Sequence, residues 1–341
     1  MYSAIWLLLG NKLWQSSGTR SESLRSAPHR CGNWLATGGV ILALWMGGSS
    51  SSCGYAAPPH AVRFPEADGE GTRAFRHGHV LYLELSADTK SPVRLPRIAA
   101  PLRSMHWKQG QGSDHATAPA NGDAAGLAAD GSKADKGLQL KPEPDYWLLS
   151  WDQRPAWGAY VELRFDAPPK LIDEVEPVIA AADGSVWLPA HYGRTYGEKI
   201  RYEPQPHKNT IGYWVVPTDS VQWQLTLSRG GRFTVAILQG CGAGQGGSTA
   251  EILLHVLPAG QKVSPSGQGP SAWESSGETT ARLRFEVEET GHFQDFRWRH
   301  VGEVELAAGP ARLLLRPVNI KRNALMDIRA VHLIPLPDRR P

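Results

Sequence analysis

The run Arg282-Leu283-Arg284-Phe285-Glu286-Val287-Glu288 alternates charged and apolar side chains without a break. A strand points successive side chains to opposite faces, so this run predicts one apolar and one charged face. That is the pattern of an antiparallel sheet with one wet side. Val221-Gln222-Trp223-Gln224-Leu225-Thr226-Leu227 repeats it. Outward from these two, the C-terminal half breaks into similar pieces: Ile211–Val216, Phe233–Leu238, Ile252–Leu257, Glu303–Leu306, Ala311–Arg316 and Leu325–Ile334. Upstream, Val80–Leu85, Val93–Leu95, Leu102–Trp107, Tyr146–Trp151 and Ala159–Phe165 also suit strands between turn signals. Lys170–Gly184 spaces Leu171, Val175, Val178 and Ile179 weakly like a helix, but Pro177 interrupts it. Proline costs about 3 kcal/mol in a helix interior, so an extended linker is expected there.

Composition points the same way. The 341 residues include 36 Gly and 26 Pro, well above the roughly 12% these two reach together in average proteins. This density of turn-formers argues against a helical bundle, a parallel nucleotide-binding sheet and an eight-helix barrel enzyme. The expected fold class is all-β, with two antiparallel β-sandwich domains, each long enough to bury its own core. Lys and Arg number 36 against 33 Asp and Glu, a formal charge of +3. A dedicated nucleic-acid binder shows a strong basic excess, so no nucleic-acid partner is expected.

Residues 1–56 read as a secretory signal with a long basic leading region. Arg20, Arg25 and Arg30 precede the apolar run Trp34–Gly48, and Gly54-Tyr55-Ala56-Ala57 supplies small residues for cleavage near Ala56. A membrane span needs about 20 apolar residues, more than this run holds, so no span is expected. A lipid anchor at Cys53 is the alternative, though Ser50 stands where such a site wants Leu. A secreted or periplasmic location follows. After cleavage Cys241 remains as the single thiol, with no internal disulfide. Residues 57–78 read as an N-terminal linker, 79–168 as the first sandwich, 169–185 as a linker, 186–335 as the second sandwich and 336–341 as a tail. Within the first sandwich, 109–137 lacks large apolar side chains and is expected to be a disordered loop. Gln261–Gly277 is a second Ser/Gly/Pro-rich loop.

Several short motifs resemble catalytic or metal signatures and lack their context. Gly242-Ala243-Gly244-Gln245-Gly246-Gly247 fits GxGxxG, but no helix opens after it to face a pyrophosphate. An inter-strand turn is the simpler reading. Ser248 in Gly246-Gly247-Ser248-Thr249-Ala250 is nearly a nucleophile elbow, but Ala250 replaces the closing glycine and no α/β sheet supports it. His77-Gly78-His79 has no further ligands at a recognisable spacing and reads as a solvated pair. Asp173, Glu174 and Glu176 fall in the linker, and Glu286, Glu288 and Glu289 on or beside a wet strand face. A retaining glycosidase needs two carboxyls about 5 Å apart across the sugar, and neither set suggests that. No catalytic residue, metal or cofactor is expected.

The aromatic side chains are more informative: 13 Trp, 9 Tyr and 7 Phe. A sugar ring has an apolar C–H face edged by hydroxyls, so it is held by a flat aromatic ring with planar hydrogen-bonding groups beside it. Asn209-Thr210-Ile211-Gly212-Tyr213-Trp214 and Gly291-His292-Phe293-Gln294-Asp295-Phe296-Arg297-Trp298 both offer that mixture. The candidate carbohydrate-binding residues are Tyr213 or Trp214 for stacking and His292, Gln294 and Asp295 for polar contacts, with Gln239–Gly247 shaping the rim. Core packing is the competing reading for each tryptophan. Arg297, Arg299 and His300 would suit an anionic, for example sulfated, glycan.

Leu81-Tyr82-Leu83, Val93-Arg94-Leu95-Pro96, Trp107, Tyr146–Ser150 and Tyr160-Val161-Glu162-Leu163 resemble, in order, the C-terminal β-sandwich of bacterial alpha-L-fucosidases over about 79–166. About 187–335 resembles a sandwich found after fucosidase and sulfatase catalytic domains, similar to carbohydrate-binding modules of the galactose-binding, jelly-roll type. Asn209–Trp214, Leu238-Gln239-Gly240-Cys241-Gly242, Gly246-Gly247-Ser248, Thr290–Phe296, Arg316-Pro317 and Met326-Asp327-Ile328-Arg329 carry that likeness. The resemblance implies a glycan-processing setting without its catalysis, because the fucosidase barrel needs on the order of 250 residues ahead of these sandwiches. Relatives often carry Asn two residues before the Asp of the last strand, where this chain has Leu325, with Asn323 nearby. Some relatives hold a structural calcium there, for which Asp327 alone makes no site.

The expected function is therefore a secreted, non-catalytic binder of carbohydrate, fucosylated or sulfated, accessory to glycan degradation. A detached fucosidase C-terminal part that docks on a glycosidase catalytic domain encoded elsewhere is one alternative. A glycoside hydrolase in its own right is the other.

Overall fold

The computed structural model describes residues 60–69, 71–109, 137–155, 159–258 and 280–337. The expected signal, the interior of the 109–137 loop and the Gln261–Gly277 loop lie outside the described residues. What is described is all-β. The helical turns present are single 3-10 turns at Pro65–Ala67, Ile172–Glu174 and Ala190–Tyr192.

The first half contains β1 (Val62–Arg63), β2 (Thr72–His77), β3 (Val80–Leu85), β4 (Val93–Pro96), β5 (Leu102–Gln109), β6 (Gln139–Pro142), β7 (Tyr146–Ser150) and β8 (Ala159–Phe165). One sheet runs β1-β2-β3-β8-β5 and the other β4-β7-β6, every pair antiparallel. Leu81, Leu83, Leu95, Leu149, Val161 and Leu163 are fully buried between them, with Trp147 stacked near Phe165 at 6.4 Å.

The second half contains β9 (Val178–Ile179), β10 (Val186–Pro189), β11 (Arg194–Tyr196), β12 (Arg201–Glu203), β13 (Thr210–Gly212) and β14 (Ser220–Leu227). It continues with β15 (Gly231–Gly240), β16 (Thr249–Val256), β17 (Ala281–Glu286), β18 (Arg297–Leu306), β19 (Gly309–Asn319) and β20 (Asp327–Pro335). One sheet runs β12-β13-β20-β15-β18, with β10 also on β20; the other runs β11-β14-β19-β16-β17, with β9 on β14. The apolar faces of the alternating runs turn inward as their pattern demands, although on β14 the polar face is not wet throughout, Gln222 being buried as well. Val221, Trp223, Leu225 and Leu227 of β14 are buried, while Leu283 and Phe285 of β17 pack on the core and Arg282, Arg284 and Glu286 face out.

Three expectations need correction. Thr72–His77, read as part of a linker, is a six-residue strand paired with β3 from His77↔Val80 to Thr72↔Leu85. Gly78, at φ 55, and His79 form its two-residue hairpin turn, which needs a positive φ of the kind glycine supplies. Within the 169–185 linker, Val178–Ile179 joins β14 as a parallel partner. Ile211–Val216 does not run on as a strand: pairing stops at Gly212, because Tyr213 takes φ 56 and turns the chain.

The two halves are not separate bodies. One hydrophobic cluster runs from Leu95 and Trp147 through to Trp223 and Leu313. Across the join Leu102 N donates to Pro204 O (2.9 Å) and Gln205 Nε2 to Leu140 O (3.0 Å). Arg97, 3% exposed, reaches over from the first half to give Nη2 to Gly193 O at 2.7 Å, with its guanidinium 5.3 Å from the Tyr202 ring. Burial pushes its pKa down to about 10, so it remains charged at neutral pH.

Candidate functional site

The site grows from the left-handed turn at Tyr213. Thr210 Oγ1 donates to Ile328 O at 2.8 Å, tying β13 to β20, and Ile211 goes into the core. Tyr213 then reverses the chain, which sends Trp214 inward and its own ring outward. Trp214 is fully buried and donates Nε1 to Asp219 O at 2.9 Å. The buried Asp219 carboxylate accepts from the backbone N of Glu198, Lys199 and Ile200 at 2.7, 3.1 and 2.8 Å. The far end of the Tyr213–Asp219 loop is thereby pinned. The Tyr213 ring, 47% exposed, has the Arg201 guanidinium 3.3 Å from its centroid and the Lys208 ammonium at 6.0 Å. Arg201 is itself held by Glu143 across the join, at 3.3 Å.

Next to the ring, two carboxylates share a crevice above Gly212. A Cβ on Gly212 would sit 2.6 Å from Asp327 Oδ1 and 3.1 Å from Glu203 Oε2, so only glycine leaves room for both. Lys208 forms an ion pair with Glu203. Among the described residues Asp327 forms no ion pair: burial first, and then the Glu203 charge, raise its pKa to about 8. It is protonated at neutral pH and accepts a side-chain hydrogen bond from Gln294. Arg329 stacks 3.8 Å from the Phe296 ring and donates to the backbone O of Lys208 and His207, each at 2.8 Å, which holds the β12–β13 turn in place.

Gln294 arrives from the turn before β18. Phe293 lies so close to β15 that a Cβ on Gly240 would be 2.0 Å from Phe293 O, and one on Gly242 would be 2.7 Å from its ring. Thr290 Oγ1 accepts from Cys241 N at 2.8 Å. Gln294 N donates to His292 Nδ1 (3.1 Å), Asp295 N donates to His292 O (3.0 Å), and Asp295 pairs with Arg297 (2.7 Å). Cys241 beneath this turn is fully buried, and burial, then the charges of Glu289 and Asp327, push its thiol up to about 11.

Of the expected residues, Tyr213 and Gln294 are linked indirectly: Lys208 near the Tyr213 ring pairs with Glu203, which shares the space above Gly212 with Asp327, and Asp327 is the partner of Gln294. His292 and Asp295 sit beside Gln294 on the same exposed turn. Trp214 does not belong: with no surface exposed it is a core residue, which leaves Tyr213 as the exposed aromatic of that segment. Glu203, Lys208 and Arg201 were not anticipated. They reach the site because β12 is the hairpin partner of β13, with Arg201 opposite Gly212 and Glu203 opposite Thr210. A three-residue strand leaves almost no pattern in a sequence. Trp298 leaves the site altogether and meets Trp187 at 5.4 Å on the outer face of the sheet, over the buried Ala236 and Ala330.

The remaining motifs resolve into structural contacts. Ser248 is buried and accepts from Lys321 N at 3.0 Å; Glu289 accepts from Gly244 N at 2.8 Å. Asp173 pairs with Arg194, Glu174 with Arg76, and Glu288 with Arg299. Among the described residues, no group of three or more His, Cys, Asp and Glu is placed to hold a metal ion.

No protein-family model matches the chain, and no curated protein matches it. Solved structures with some likeness include the C-terminal family 6 carbohydrate-binding module of the laminarinase LamC from Zobellia galactanivorans. It is 14% identical, over 44% of this chain and 98% of that one, with a TM-score of 0.32. A family 35 carbohydrate-binding module from Clostridium thermocellum is 9% identical over 45% of this chain and 98% of its own, at 0.31. An alpha-L-fucosidase from Vibrio sp. strain EJY3 is 11% identical at 0.29; 79% of this chain aligns, spanning 40% of that enzyme. TM-scores this low decide nothing about function or ancestry.

Proposed function

We propose that the chain is an exported, non-catalytic carbohydrate-binding protein accessory to glycan degradation, and that Tyr213, Lys208 and Gln294 form its binding site, with His292 and Asp295 on the rim. The observation that carries this reading is the Tyr213 ring: a half-exposed aromatic surface on a rigid turn, with Lys208 beside it and the Asp327–Gln294 pair over the preceding residue. A pyranose needs such a combination, a fixed apolar plane edged by donors and acceptors. Burial of the Glu203 and Asp327 carboxylates supports binding rather than cleavage, since glycosidase carboxyls must flank the scissile bond. The likeness of the two halves to sandwiches that follow fucosidase and sulfatase catalytic domains supports the accessory role, with a glycosidase barrel as partner.

Tyr213→Gly tests the reading, because glycine takes the same backbone conformation and deletes only the ring. On a glycan array the parent is expected to bind a defined subset of glycans. The variant should lose at least about tenfold, or 1.4 kcal/mol. A blank array with folded, monodisperse parent protein would refute the proposal.

A further inference from the structure

The outer face of the β11-β14-β19-β16-β17 sheet holds an arrangement of charge that the Tyr213 site does not use. Glu251 of β16 points away from the core, yet its side chain is only 3% exposed, because arginines from both neighbouring strands close over it. Arg284 of β17 donates Nε to Oε2 at 3.0 Å, Arg316 of β19 donates Nε to Oε1 at 2.8 Å, and Arg282 Nε stands 3.9 Å away. Register places Arg284 and Arg316 directly opposite Glu251 on either side. Three guanidinium groups thus share one carboxylate, leaving an excess of two positive charges. Arg284 spends only Nε on Glu251 among the described residues, and its side chain is 57% exposed.

Arg284 and Arg316, with Glu251 between them, form one wall of an open cleft of about 590 Å³. Ser220 and Thr218 supply hydroxyls, and Pro217 and the exposed Val318 an apolar side. A guanidinium fork matches oxyanions in a plane, and here Glu251 holds both groups in place before any ligand arrives, taking Nε and Nη2 of Arg316 (2.8 and 2.7 Å) but only Nε of Arg284, so little side-chain entropy is lost on binding. Forks, hydroxyls and an apolar wall together fit a sugar ring that bears an acidic group. Pro217 and Thr218 also belong to the pinned loop that begins at Tyr213, so the cleft and the aromatic site adjoin the two ends of one loop.

We propose that this cleft binds the acidic substituent of a glycan, a sulfate ester or a uronate carboxylate, between the guanidinium groups of Arg284 and Arg316. The glycan part of this statement rests on the function proposed above; the oxyanion part does not. Binding of the full chain to dextran sulfate, polygalacturonate and neutral dextran tests it, with Arg284→Lys, Val318→Glu and Tyr213→Gly as variants. Lysine keeps the charge and the ion pair to Glu251 but loses the fork, whereas Val318→Glu sets a negative charge on the wall and leaves Glu251 and its arginines unsubstituted. The parent should hold one acidic polymer at least tenfold tighter than dextran, and which polymer it prefers identifies the group. Arg284→Lys and Val318→Glu should each remove most of that preference, and Tyr213→Gly should keep it. No acidic preference, or one that Arg284→Lys and Val318→Glu leave intact, would overturn the inference, the second result meaning diffuse attraction to a basic surface. Acid-selective binding that depends on Arg284, beside a blank neutral array, would uphold the cleft and sink the Tyr213 reading. Array binding that depends on Tyr213, without acidic preference, would do the reverse.

Discussion

Tyr213 illustrates how one backbone angle sets both a core and a surface. A tyrosine at φ 56 is strained, and the strain places Trp214 under the sheet and the phenol ring outside it. Tyr213→Gly is accordingly expected to unfold within about 1 kcal/mol of the parent, relief of strain offsetting the lost stacking on Arg201. Urea melts of the two proteins measure this. Asp327 makes a second residue-level prediction. Its pKa of about 8 in the fold lies above the ordinary carboxylate value, so the folded protein keeps a proton that the unfolded chain releases near pH 4. Stability from this group is present below about pH 4 and is lost as pH rises toward about 8. Asp327→Asn removes that loss, and the variant should gain on the parent by on the order of 3 kcal/mol between pH 5 and pH 8. Parallel melts at the two pH values give the difference, and an equal gap at both would contradict it. From the sequence, Tyr213 and Gln294 were recognisable as an aromatic and an amide in loop positions. The acid pair was not, because Glu203 and Asp327 lie more than a hundred residues apart in the chain and meet only through pairing with β13.

At the scale of elements, legibility followed length. Strands such as β14 and β17 carry a full alternation and read directly, since five or more residues display a period of two. β9 to β13 have two to four residues each, too few for any period, and they form because longer neighbours offer free edges. β13 was overextended for a related reason: Ile211, Val215 and Val216 have strand propensity, and a single left-handed residue overrides it. The C-terminal end of β15, facing the 290–297 turn, allows a sharper test. Gly240→Ala would drive a methyl group to within 2.0 Å of a backbone oxygen, which cannot yield as a flexible side chain can. A loss of about 3 kcal/mol is expected, together with weaker glycan binding as Gln294 shifts. Gly244→Ala is the control: nothing stands within 4 Å of its Cβ, and the cost of φ 70 alone is about 1 kcal/mol. Thermal melts rank the two, and similar losses would mean that the Phe293 contact imposes no constraint.

Over the whole molecule, the two halves read from the sequence as separate sandwiches share one core, and Arg97 is a buried polar tie between them. Its guanidinium satisfies the Gly193 carbonyl in a place water does not reach, so Arg97→Ala should cost about 3 kcal/mol. Arg97→Lys should recover only part, since an ammonium lacks the fork and is costlier to bury. The parent should melt in a single calorimetric transition, and resolved melting of the two halves would show that the shared core does not couple them. The join was illegible beforehand because each side looks apolar on its own, and burial between layers of one sandwich accounts for such residues equally well. Cys241 offers a way to time this cooperativity. Its thiol is sealed under the 290–297 turn and barely ionised at neutral pH, so an alkylating reagent can modify it only during the moments when the protein opens. Followed by mass at that peptide alone, apart from Cys31 and Cys53, modification becomes a stopwatch started by each opening. The rate at which modification stops rising with reagent concentration is the opening rate, and its reciprocal is the lifetime of the closed protein.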